Sequence, residues 1–327
     1  MRLAFFYCFY PKMIVRRVIS VNNLIYEFKK NTFDVILSGT AGTSLLYSYI
    51  ISKLFNIPIV CIAHGDDFLI RYAFSLKEEM FQDINSVIVT NKVMKHLFLK
   101  IYDINPNKIN IIHLGVNIEQ EVKKTKKELR NELNISEEDF VLLSVSRFYP
   151  RKGFDTILKS IRLILQETSN IPIKYFIIGG GQEEDKIRSL INELNLQDQI
   201  KILGTIEDEL KNKYYKLSDV FVLVPDVKKN SIEGFGIVYI EANFFKLPVI
   251  GSRSGGVRVA IEENKSGLLI NPGDKLDLKE KILELFKDKD FREKLGDYGH
   301  QRVLENFDWK TNAEKYHSIL FSIVKNS

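Results

Sequence analysis

Short apolar runs alternate with longer stretches of helical periodicity almost from end to end of this chain. That alternation constrains the fold more than any other feature, because strand–helix–strand repeats bury their apolar strands only in parallel sheets covered by helices. The pattern predicts an α/β protein. Strand candidates are Leu3–Phe9, Asp34–Leu37, Ile59–Ala63, Ser86–Val89 and Ile109–Ile112, then Val141–Val145, Lys174–Ile178, Ile200–Leu203, Val220–Val224, Val249–Gly251 and Gly267–Ile270. Between the two groups lies the highly charged stretch Glu119 to Glu138, which reads as a solvated connector and places a domain boundary near residues 117–120. Beyond residue 275 the pattern is helical only. A chain of 327 residues with 45% hydrophobic content supports two such domains, each with its own core.

In a parallel sheet ligands bind beyond the carboxyl ends of the strands, so the chemistry is sought there. After the strand ending at Val224 comes Ser231-Ile232-Glu233-Gly234-Phe235-Gly236-Ile237-Val238, followed by Glu241. Gly234 and Gly236 permit a sharp turn into a helix read as Ile237 to Lys246, stopped by Pro248. The N–H groups of Phe235, Gly236 and Ile237 at that helix start suit a phosphate, with Glu233 at the mouth and Glu241 placed to hold a sugar hydroxyl. Arg147 and Lys152-Gly153 stand on the loop after the first strand of the second domain, where Arg147 as a fork and Lys152 as a point charge form a diphosphate clamp. The turn Gly179-Gly180-Gly181 marks close backbone approach, structural or ligand-facing; Glu184 replaces the third glycine of a dinucleotide fingerprint. His64-Gly65 ends a strand of the first domain and is a further site candidate.

Other chemistry finds less support. Histidines 96, 113, 300 and 317 show no ligand spacing, Asp288-Lys289-Asp290 reads as surface between two helices, and adjacent Asp66 and Asp67 point apart, so no metal site is expected. Cys8 and Cys61 lie in apolar runs, which suits buried thiols of a cytoplasmic protein. No apolar stretch reaches the ~20 residues of a membrane span. The net charge of +5 belongs to the first third, where residues 1–117 hold 13 Lys/Arg against 8 Asp/Glu. Without a basic stripe interleaved with aromatics, nucleic acid is not the expected partner. An anionic membrane surface or an acidic substrate fits that charge at least as well; over residues 12–29, Lys12, Arg16 and Arg17 flank an apolar helical face that either packs into the core or rests on an anionic bilayer.

The residues resemble retaining glycosyltransferases of the GT-B fold (glycosyltransferase family 4, glycosyl transferases group 1), which include glycogen and sucrose synthases and bacterial lipid mannosyltransferases. The resemblance spans roughly residues 31–327. It rests on Glu233-Gly-Phe-Gly…Glu241-Ala, Arg147…Lys152-Gly153, Pro248 to Val257 with Gly255-Gly256, Gly267 to Asp274, and His64-Gly65. It implies two Rossmann-like, doubly wound domains facing across a cleft, spanning 1–117 and 118–307, with residues 308–327 as a helix crossing back to the first. It further implies a metal- and cofactor-independent hexosyl transfer from a UDP- or GDP-linked sugar to a lipid-linked sugar, glycolipid or polysaccharide. By that resemblance Arg147 and Lys152 hold the diphosphate, Glu233 with the Phe235 and Gly236 amides holds the sugar, and Glu241 holds the ribose. Gly204, Thr205 and Ile206 lie along the base, and His64 lines the transfer site. The first domain departs from the family because no glycine precedes Gly39: either an N-terminal βαβ piece is missing or the acceptor site is built differently. A sugar-nucleotide epimerase of the same fold and an inactive nucleotide-sugar-binding protein stay open; a phosphorylase lacks context for its pyridoxal lysine.

Overall fold

The computed structural model describes residues 3–6 by their backbone, and residues 24–69, 76–118, 122–168, 171–227 and 231–326. The chain forms two compact units, Met1–Leu114 with Lys310–Ser327, and Gly115–Trp309.

The first unit is built on one parallel sheet, β1 (Leu3–Phe6), β2 (Val35–Ser38), β3 (Ile59–Ala63), β4 (Ser86–Val89) and β5 (Ile109–Ile111), paired in that order. Every residue of β2, β3 and β4 is buried, as the near-continuous apolar strands require. Helices connect the strands: α1 (24–30), α2 (Thr43–Phe55), the single turn α3 (Asp66–Leu69), α4 (Leu76–Asp83) and α5 (Lys92–Ile101). The last helix of the chain, α14 (Trp309–Asn326), completes this unit. Its Leu320 joins the buried cluster of Val35, Leu37, Val60, Ile62, Ile88 and Ile112, and Tyr316, Ile319 and Ile323 pack on the same face at helical spacing.

The second unit carries six parallel strands, β6 (Phe140–Val145), β7 (Ile173–Ile178), β8 (Ile200–Gly204), β9 (Val220–Val222), β10 (Val249–Ser252) and β11 (Gly267–Ile270). Their spatial order is β11-β10-β9-β6-β7-β8. The chain thus winds outward from β6 in one direction, returns, and starts again with β9 beside it. The chain runs on from β6 to β7 on one side and from β9 to β10 on the other, so the β6–β9 pair is the switch point of the sheet, where α/β folds hold ligands in a crevice.

The strands lie where the apolar runs put them, and two readings of the sequence need correction. The charged stretch after residue 119 is not simply a solvated connector, because it contains α6 (Lys126–Glu132), started by a capping box between Thr125 and Glu128. Arg130 of that helix is only 4% exposed. Its Nε donates to Leu217 O, its Nη1 to the carbonyls of Glu137 and Asp139, and its Nη2 to Asp219 Oδ2 at 2.7 Å. Second, the helix after Gly236 spans Ile237–Phe244 and stops before Lys246, whose φ of 60° reverses the chain ahead of Pro248. Cys8 and the basic segment containing Lys12, Arg16 and Arg17 lie outside the described residues. Among the described residues no helix is long and apolar enough to cross a membrane.

Candidate functional site

Parallel strands place their following loops on one edge of the sheet, and in the second unit that edge gathers residues 146–153, 179–183, 205–207, 223–227, 231–236 and 253–256. Glycines set how closely these loops approach. Gly153 starts α7 (Phe154–Glu167) with φ 75°, and a Cβ there would stand 2.1 Å from Val224 O, so the loop after β6 is pressed against the end of β9. The triglycine turn after β7 packs likewise: a Cβ on Gly179 would meet Ser146 O at 1.9 Å, and one on Gly181 would meet Phe148 O at 2.8 Å. Gly179 and Gly181 are therefore glycine for packing, whereas a Cβ on Gly180 would find its nearest neighbour, Glu184 Oε2, at 3.6 Å.

The loop after β9 turns into α10 (Ile237–Phe244) through Gly236, whose φ is 83°. No side chain caps that helix start. Its amide end, at Ile237, points the positive pole of the helix toward the crevice. Tyr239 donates its hydroxyl to Leu223 O at 2.6 Å, and its ring would lie 2.5 Å from any Cβ on Gly236. Phe235 is buried, with its ring 5.7 Å from that of Phe307. From the neighbouring loop Gly256 N donates to Glu233 O at 2.8 Å, so the backbone beneath the Glu233 carboxylate is held.

Glu233 itself is the electrostatic centre. Its Oε2 accepts from Arg151 Nη1 at 2.9 Å and from Lys152 Nζ at 2.5 Å, and all three side chains are 12% exposed. Burial pushes the Glu233 carboxyl upward, but Lys152 and Arg151 outweigh it and hold the group below the ordinary carboxylate range. Lys152 is lowered from the ordinary lysine value by burial, with Glu233 opposing and the Arg151 and Arg147 charges adding to the fall. Two cations against one carboxylate leave an excess positive charge at the crevice. Arg147 is exposed, its guanidinium 5.1 Å over the Tyr149 ring. The structure thus brings Lys152 to Glu233 together with Arg151, which sequence reasoning left within the basic run and gave no role; adjacency to Lys152 was the available signal.

Glu241 lies on α10, where Tyr215 of α9 (Asp208–Leu217) donates its hydroxyl to Oε2 at 2.8 Å and Lys211 Nζ lies 3.7 Å from Oε1. Burial, with the charge of Glu241, pushes the Tyr215 phenol well above its ordinary value and keeps it a donor. Tyr215 and Lys211 were not foreseen, since nothing in sequence marks α9 as facing α10. Gly204 has φ 72° and open space on its Cβ side, Thr205 is exposed, and Ile206 is half-buried before α9 begins.

In the first unit His64 directly follows β3, with Nε2 3.0 Å from Gly39 O. Asp67 gathers three amides, from His64 and Gly65 on Oδ1 and from Ala41 on Oδ2, and so ties the loops after β2 and β3. Asp288 caps α13 (Lys289–Asn306) through Phe291 N at 2.8 Å. Among the described residues no three His, Cys, Asp or Glu side chains converge as a metal site.

A family model described as glycosyl transferases group 1 matches residues 125–302, and one described as glycosyltransferase family 4 matches residues 2–120. The chain is 23% identical over 303 residues to the N-acetyl-alpha-D-glucosaminyl L-malate synthase of Bacillus anthracis, covering 91% of this chain and 77% of that one. It is 28% identical over 190 residues to a GDP-mannose-dependent alpha-(1-6)-phosphatidylinositol monomannoside mannosyltransferase of Mycobacterium tuberculosis, covering 58% of this chain and 49% of that one. Its backbone matches sucrose-phosphate synthase from Thermosynechococcus elongatus with a TM-score of 0.84 at 22% identity, over 98% of this chain and 81% of the other. Anabaena HepE in complex with UDP-glucose matches with a TM-score of 0.80 at 20% identity, over 92% and 82%. At such identities the solved structures speak for the fold alone, and the fold they share is GT-B. With more than half of its 327 residues matched by one family model, this chain belongs to the glycosyl transferases group 1 and is a glycosyltransferase.

Proposed function

We propose that the protein transfers a hexosyl group, with retention of configuration and without a metal ion, from a UDP- or GDP-linked sugar to a lipid-linked sugar, glycolipid or polysaccharide at the cytoplasmic face of a membrane. One observation carries the donor half: an excess of buried positive charge, Lys152 and Arg151 against Glu233, stands beside an uncapped helix start at the switch point of the second sheet. That is a site for a diphosphate. The names of similar proteins support the sugar half: HepE was solved with UDP-glucose, and the mycobacterial relative is called GDP-mannose-dependent. The latter's phosphatidylinositol monomannoside supports a lipid acceptor.

In this reading Lys152, Arg147 and the amides at Phe235, Gly236 and Ile237 stabilise the charge that develops on the leaving diphosphate, through positions fixed in advance. The bond from the anomeric carbon to the diphosphate oxygen breaks, the acceptor hydroxyl oxygen bonds to that carbon on the same face, and the hydroxyl proton passes to the departing diphosphate. Glu233 accepts a hydrogen bond from a hydroxyl of the sugar, Glu241 from the ribose, and Gly204, Thr205 and Ile206 lie along the base. His64 is the first unit's candidate for contact with the transferred sugar. Transfer assayed in EDTA, with donors chosen by a thermal-shift screen of nucleotide sugars, tests the proposal. Turnover should persist without metal, and Lys152→Ala should cost roughly 2–5 kcal/mol of transition-state stabilisation. Loss of turnover in EDTA that manganese or magnesium restores, or near-normal activity of Lys152→Ala, overturns it.

A further inference from the structure

Arg151 ties the two loops of the crevice together through Asp226, Ser231 and Glu233. Its carbonyl accepts from Asp226 N at 2.7 Å, its Nε donates to Ser231 Oγ at 2.9 Å, and its Nη1 donates to Glu233 Oε2 at 2.9 Å. These contacts reach Asp226, Ser231 and Glu233 of the loop after β9 from a single residue of the loop after β6. Lys152 shares the same carboxylate oxygen, so both cations bind Oε2 of Glu233 and neither binds Oε1.

The two cations are not equivalent. The guanidinium of Arg151 is a planar fork already engaged on Ser231 and Glu233, whereas the Lys152 ammonium is a point charge on a flexible stem. A diphosphate entering the crevice would draw the flexible Lys152 ammonium more readily than a guanidinium held on Ser231 and Glu233. Were Lys152 the sole partner of Glu233, its departure would leave a carboxylate buried and uncompensated, which is among the costlier states a protein interior offers. With Arg151 in place that state never arises.

We propose that Arg151 is a positioning residue that stays on Glu233 while the donor diphosphate draws Lys152 away, which keeps the carboxylate paired and leaves Oε1 to accept a sugar hydroxyl. The inference rests on the diphosphate reading above. It also explains why the two loops are joined through the one side chain that reaches Glu233 without being expected to touch phosphate.

Calorimetric titration of UDP and GDP, with turnover measured in parallel, tests it on Arg151→Met, Glu233→Gln, the double variant and Lys152→Ala. Arg151→Met should weaken nucleoside diphosphate binding by roughly a hundredfold, because Lys152 can no longer leave Glu233 without cost. Adding Glu233→Gln should restore binding to near the wild-type value, since no charge is then stranded, while turnover stays lost. A purely structural staple predicts no such rescue. Persistently weak binding in the double variant, or wild-type binding in Arg151→Met, overturns the inference. Should Arg151→Met be unstable at the assay temperature, Arg151→Gln carries the same comparison. Wild-type binding in Lys152→Ala would instead overturn the diphosphate reading itself, so the two failures are told apart.

Discussion

Glu233 and Glu241 are prepared in opposite ways, one paired with two cations and largely withdrawn from solvent, the other oriented by a phenol with a lysine at longer range. They should fail differently when removed. Glu241→Ala is expected to weaken binding of free UDP or GDP, whereas Glu233→Ala should spare that binding and lower kcat for transfer. Equal losses on both measurements would show the division of roles to be wrong. Both carboxylates could be read from sequence because their setting is local: a glycine-flanked turn into a helix, after an apolar strand. What surrounds them could not. Which of Arg147, Arg151 and Lys152 meets Glu233 depends on how far the loop after β6 is drawn onto β9, and that is set by the left-handed Gly153 against the carbonyl of Val224.

At the scale of elements, strands were the easiest feature to foresee, since a strand buried on both faces is a short run of Val, Ile, Leu and Phe whatever its neighbours. The order of those strands is not in the pattern; it was supplied by resemblance and by the fold itself. The charged stretch before β6 misled for a definite reason. Charge density does not say which of several alternating ions turns inward, and α6 turns Arg130 inward onto Asp219. Breaking a buried pair by deleting one partner strands the other, so Arg130→Met should destabilise the second unit by about 3 kcal/mol, read as a fall in its urea midpoint. Burial pushes the Asp219 carboxyl up, yet Lys126 and Arg130 outweigh burial and hold it below the ordinary carboxylate range. A carboxyl lowered in the folded state contributes stability that is complete above its unfolded value near ~3.9 and is lost as pH falls through its folded value. Arg130→Met should therefore flatten the acid side of the stability profile as well as lower it. An unchanged acid limb would mean that Lys126 alone sets the Asp219 value.

Over the whole molecule, charge is distributed unevenly, with the excess confined to residues 1–117 and the remainder balanced. If the first unit meets a lipid-linked acceptor, that excess has a use, since each basic residue near an anionic surface contributes ~1 kcal/mol. Sedimentation with liposomes checks this: binding should require anionic lipid, weaken with added salt, and fall when Arg16 and Arg17 become Glu. Indifference to anionic liposomes at low salt would favour a soluble acceptor. The division of the chain has another consequence, for its synthesis. The first unit draws on α14, which is synthesised after the second unit, to cover Val35, Leu37 and Val60, whereas the second unit lies wholly within Gly115–Trp309. Folding in order of synthesis would leave the first sheet with an apolar face uncovered until α14 has been made, so the unit made second is the one able to finish first. The interval between those two events is when the nascent chain is most exposed to aggregation and most in need of a chaperone.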